Sequence, residues 1–93
     1  MQQYRTRPRI ISDVLSKAHA SGDEGVNVSG FVRGCNLSYS VAAVLLDELT
    51  GAGLLLPSRD DRMVKYRLSE RGSTFLEKYA QLQEFVDSYG LRL

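Results

Sequence analysis

The chain has 93 residues, 43% of them hydrophobic, 25% charged and only two of them proline, which describes one small globular domain and not a disordered tail. Twelve basic against eleven acidic residues leave a net charge of +1, and a single cysteine excludes an internal disulfide and any multi-cysteine zinc site. No apolar run approaches the ~18 residues of a membrane span and the start lacks a secretory leader's apolar stretch, so a soluble cytoplasmic protein with no membrane contact is expected.

Pro8 suits the first turn of a helix, where its missing N–H costs nothing. Ile10, Ile11, Val14, Leu15 and Ala18 then follow at helical spacing until Ser21-Gly22 stops the run. Gly25-Val26-Asn27-Val28 is too short for a helix and reads as a brief strand. Ser29 is the expected N-cap of a short second helix carrying Phe31 and Val32, weakened by Gly30 and Gly34. Asn36-Leu37-Ser38 is a tight turn with Ser38 as the next cap. From Tyr39, the residues Ala42, Leu45, Leu46 and Leu49 mark the buried face of a third helix, closed by Gly51-Ala52-Gly53.

Leu54-Leu55-Leu56 reads as a strand stopped by Pro57, and Ser58 to Arg62 as a turn. Met63 to Leu68 alternates, with Val64, Tyr66 and Leu68 on one face. Ser69 then caps a final helix that the pattern carries to Leu93. In it Phe75, Tyr79, Leu82, Val86, Tyr89 and Leu93 keep heptad steps, the period of a coiled-coil seam. About 20 helical residues span roughly 30 Å, more than the preceding 68 residues can cover. Tyr79, Leu82, Phe85, Val86, Tyr89 and Leu93 are therefore the expected dimerisation residues, with a second copy as partner. Left in water, each large apolar group would forfeit about 1.5–3 kcal/mol.

Two helices joined by a tight turn and followed at once by a hairpin resemble a winged helix-turn-helix. The specific stretches are Asn36-Leu37-Ser38-Tyr39, Leu49 through Gly53-Leu54-Leu55, and Tyr66-Arg67-Leu68-Ser69-Glu70-Arg71-Gly72. With the long last helix they look like small archaeal winged-helix DNA-binding proteins that dimerise through an antiparallel coiled coil. The fold expected is mainly α with a small β-hairpin (α+β). Residues 1–72 would be the winged domain with a basic N-terminal arm, and 69–93 the long helix with its distal part for dimerisation.

The resemblance implies double-stranded DNA as partner, contacted by a homodimeric transcription regulator or chromatin-associated factor that would be nucleoid-associated. Its groove-facing positions here are Tyr39, Ser40, Ala43 and Asp47, with Arg33 near the DNA backbone. Arg59, Arg62 and Lys65 are the wing contacts, and Arg5, Arg7 and Arg9 the arm. The third helix departs from the pattern, because Ser40, Val41, Ala42, Ala43 and Val44 make no bidentate base contact. Phosphate-led or shape-led binding is expected rather than strong base readout, with Ala43 able to touch a thymine methyl. Val41 and Val44 support an alternative, a winged-helix module that docks on a protein with little or no DNA binding.

Cys35 reads as a small core residue, and His19 as a side chain that suits the C-terminal end of a helix dipole and needs no further role. No metal-ligand set, catalytic triad or phosphate loop is present in the sequence, so neither an enzyme nor a cofactor is expected.

Overall fold

The computed structural model describes residues 5–91. Helix α1 (Arg7–Ser21) begins at Thr6, whose Oγ1 accepts from the Arg9 N–H, and Pro8 lies in its first turn. Val14, Leu15 and Ala18 form its buried face. A single 3-10 turn, Gly22–Glu24, leads to residue 26.

Residues 25–28 do not form the expected strand. Val26 alone bridges Tyr66, with N–H···O bonds of 3.0 and 2.8 Å in the two directions. Asn27, and not Ser29, then caps helix α2 (Val28–Cys35), its Oδ1 accepting from the Gly30 N–H at 2.8 Å. The helix starts early because Val26 is held by Tyr66 and Asn27 is the next side chain able to reach back to a free N–H. Gly30 has a packing reason: a Cβ there would stand 2.6 Å from Val26 Cγ1.

Helix α2 stops at Asn36, which takes the left-handed conformation (φ 54°). Ser38 caps helix α3 (Tyr39–Gly51) as expected, its Oγ accepting from the Val41 N–H at 3.2 Å. Ala42, Leu45, Leu46 and Leu49 are buried.

Strands β1 (Leu55–Asp60) and β2 (Met63–Leu68) pair antiparallel, from Leu55↔Leu68 to Asp60↔Met63. Pro57 does not end β1. Its partner Tyr66 directs both its N–H and its C=O outward to Val26, so this pair exchanges no hydrogen bond and the missing proline N–H costs nothing. The loop shrinks to Asp61-Arg62, with Asp61 at φ 60°, the positive φ that two-residue hairpins require.

Ser69 joins three elements. Its Oγ accepts from the Gly72 N–H at 2.9 Å, capping helix α4 (Glu70–Asp87), and donates to the Gly53 carbonyl at 2.6 Å. Gly72 is buried, and a Cβ there would run into the Leu54 carbonyl and the Leu68 side chain. The core gathers Val14, Leu15, Ala18, Val26, Phe31, Cys35, Leu45, Leu46, Leu49 and Leu55, with Phe75 and Leu76 of α4 packed on its margin. Phe31 meets the Tyr66 ring edge-on at 6.2 Å.

The last helix is shorter than its heptad pattern. Gly90 takes φ 75°, its N–H bonds the Asp87 carbonyl at 2.9 Å, and the Leu91 N–H bonds the Val86 carbonyl at 3.2 Å. This double bond pattern closes the helix in the manner of a Schellman motif. Tyr89 therefore lies beyond the helix end at Asp87, and Leu93 falls outside the described residues.

Candidate nucleic-acid interface

The buried face of α3 dictates what stands opposite. At 3.6 residues per turn, positions 40, 44, 47 and 51 project away from Ala42, Leu45, Leu46 and Leu49. Ser40, Val44, Asp47 and Gly51 are all exposed, Val44 to 61%. Tyr39, 65% exposed, and Ala43 lie on one flank of this ridge, and Val41 and Glu48 on the other. The structure thus exposes Tyr39, Ser40 and Ala43 as expected, but centres the ridge on Val44. A helical wheel centred on all four buried positions, rather than on Leu46 and Leu49, carries that signal in the sequence.

Exposed arginines lie on the elements before and after α3. Arg33 is exposed in the last turn of α2, and Arg59 and Arg62 are exposed at the hairpin tip beside Asp60 and Asp61. Among the described residues these three arginines make no ion pair. Lys65 is half-buried, its stem 3.1 Å from where a Cβ of residue 25 would be. Arg67 faces Asp23 at 3.8 Å.

The N-terminal arginines are not a free arm. Arg7 and Arg9 belong to α1. Arg5 donates to the Asp13 carboxylate at 2.9 Å and to the Asn36 carbonyl at 3.1 Å, bracing the corner between α2 and α3. Arg9 approaches the same Asp13 at 3.6 Å, and Arg7 holds Glu48 of α3 at 2.7 Å. Only Arg9 meets its acid at helical spacing in sequence; Arg5 and Arg7 meet theirs through the fold.

Two mainly apolar grooves border α1 among the described residues. One, about 550 Å³, lies against α3 between Arg7 and Glu48 and is lined by Ile10, Val41, Val44 and Leu45. The other, about 470 Å³, lies against α4 and is lined by Pro8, Ile11, Phe75, Tyr79 and Leu82. Tyr79 is 8% exposed, and its buried hydroxyl has no hydrogen-bond partner among the described residues. Past it, Leu82 is 49% and Phe85 61% exposed, Val86 is half-buried, and the Phe85 ring meets Tyr89 edge-on at 5.2 Å.

Cys35 is buried, with its Sγ 3.6 Å from the Asp13 carbonyl. Burial raises its thiol pKa above the usual value and the nearby Asp13 carboxylate adds to the effect, against smaller opposition from Arg5 and Lys17. No group of three or more His, Cys, Asp or Glu side chains is placed to hold a metal among the described residues. No helix there is long and apolar enough to cross a membrane.

Two helices across an Asn36-Leu37-Ser38 turn, a hairpin packed behind them and an exposed ridge on the second helix define a winged helix-turn-helix protein. A family model described as winged helix-turn-helix matches residues 4–87, and the chain belongs to that family. No curated protein matches significantly. Among solved structures, the chain is similar to Sso10a-2, a DNA-binding protein from Sulfolobus solfataricus, at 22% identity and TM-score 0.73, covering 92% of this chain and 90% of that one. It is also similar to Staphylococcus aureus MepR in a DNA complex (15% identity, TM-score 0.74, 91% of this chain and 69% of that one). Bordetella bronchiseptica BpsR, whose DNA binding is regulated by 6-hydroxynicotinic acid, matches at 19% identity and TM-score 0.74, over 90% of this chain but only 59% of BpsR.

Proposed function

We propose that the protein is a homodimeric DNA-binding regulator or chromatin-associated factor. The observation that carries this reading is an exposed α3 ridge together with exposed Arg33, Arg59 and Arg62 on the neighbouring helix and hairpin, three cations without acidic partners among the described residues. Its relatives in fold include a DNA-binding protein and a regulator crystallised on DNA, which supports the same reading. Tyr39, Ser40, Ala43 and Val44 face the bases. Arg33, Arg59, Arg62 and Lys65 take phosphates, with exposed Arg7 and Arg9 adding charge at the margin.

The test is fluorescence anisotropy on duplex DNA across a salt series. Replacing Arg59 and Arg62 together by Ala lowers affinity on every sequence, and the slope of log affinity against log salt flattens by about two. Absence of binding at low salt refutes the reading.

The second copy seats on α4. Leu82, Phe85, Val86 and Tyr89 supply the apolar face, continuous with the groove between α1 and α4; Tyr79, expected in the seam, is buried within its own chain. Pairing doubles the number of α3 ridges on one duplex and raises affinity by effective concentration. The apolar groove between α1 and α3 favours the second reading, a protein-docking module. Loss of a partner in Val41→Asp, with DNA affinity unchanged, would establish that one instead.

A further inference from the structure

We propose that α3 selects DNA by the C5-methyl group of pyrimidines, with Val44 as the reading side chain. This rests on the DNA-binding reading above and adds what the ridge prefers. Helix α3 (YSVAAVLLDELTG) contains no Arg, Lys, Asn or Gln, so none of the bidentate pairings to guanine or adenine is available along its length. The apolar group that an unmodified base pair presents in the major groove is the C5-methyl of thymine, and 5-methylcytosine presents the same group.

The ridge is matched to that chemistry. Val44, 61% exposed, is an isopropyl group at its centre, and Ala43 adds a methyl on the flank. Ser40, one turn earlier, offers a single hydroxyl that suits any base edge. Asp47, nearly one turn later, is an acceptor-only carboxylate. It accepts from the exocyclic amino groups of cytosine or adenine and is repelled by the guanine O6/N7 edge. Charge complementarity names DNA as the occupant of this apolar face. Arg33, Arg59 and Arg62, exposed and without an ion pair among the described residues, lie on the elements that precede and follow α3, and α3 itself carries no cation. Phosphates are thus held from the sides, and the ridge is left to the bases.

The experiment measures binding of the full chain to four labelled alternating duplexes at one low salt concentration: dA-dT, dA-dU, dG-dC and dG-5-methyl-dC. The first pair differs only in the thymine methyl and the second only in the cytosine methyl. Each methyl contacted strengthens binding about fourfold, the transfer energy of one carbon. Both ratios fall to one in Val44→Ser and persist in Val44→Leu, which remains apolar. A response in the first pair alone marks thymine as the source, and in the second alone 5-methylcytosine; either supports the proposal. Equal affinities within both pairs overturn it, as do ratios that survive Val44→Ser, since those come from duplex shape. Binding to none of the four refutes the DNA reading itself, and this inference with it.

Discussion

From Gly72 to Tyr79, helix α4 presses Phe75 and Leu76 against the domain, buries Tyr79 and admits no Cβ at position 72. From Leu82 onward the same helix holds Leu82 and Phe85 about half or more in solvent, and Tyr89 just past its end is exposed too. The two halves carry similar apolar side chains at the same heptad spacing, so pattern alone does not separate them. Contact with α1 and with the Leu54/Leu68 base of the hairpin does: the proximal half finds a surface within its own chain, and the distal half outruns it. An apolar stripe that is half satisfied internally is a stripe with room for a partner, and its cost in water argues for one.

Three substitutions or measurements sharpen or break this contrast. The largest effect is expected from Leu82→Asp, which places a carboxylate in the proposed seam. Light scattering at micromolar concentration should report a monomer where the parent is a dimer, with an unchanged circular dichroism spectrum. A variant that associates like the parent would erase the functional half of the comparison.

Gly72→Ala comes next and acts on the other half. The added Cβ must displace the Leu54 carbonyl or the Leu68 side chain, so urea denaturation should show a loss of about 1–3 kcal/mol. An unaltered midpoint would mean that α4 is not tightly docked at its start.

The smallest effect is read at Cys35. Its raised thiol pKa keeps it protonated in the fold, while the unfolded chain ionises at the usual thiol value. As pH rises above that value the unfolded state loses its proton first, so stability declines modestly on the alkaline side. Alkylation of Cys35 at neutral pH should be slow in the parent and equally slow in Leu82→Asp, but faster in Gly72→Ala. Equal acceleration in both variants would mean that the two halves of α4 stabilise the same core.

The element order was legible because its signals are local. Ser38 and Ser69 announce their caps, Gly51-Ala52-Gly53 closes α3, and the 42/45/46/49 spacing names its buried face. Expectations failed where a distant residue intervened. Pro57 remains in a strand because Tyr66 bonds Val26 instead of it. Asn27 caps α2 because Val26 is anchored across the chain. The N-terminal arginines are tied to the fold by Asp13 and by Glu48, the latter 41 residues from Arg7.

The candidate site divides along the same line. Tyr39, Ser40, Ala43, Arg33, Arg59 and Arg62 were readable as exposed polar or small groups on a helix and a hairpin tip. Val44 was readable as lying off the buried face, but its place at the centre of the ridge follows only when all four buried positions, 42, 45, 46 and 49, are taken together.

By itself, then, the sequence determined the helices, the hairpin and the family, since caps, turns and periodicity act over a few residues. Only the tertiary structure decided which apolar side chains remain in water, where α4 ends and which arginines are free. Those outcomes depend on how far one packed surface reaches, and no local pattern contains that distance.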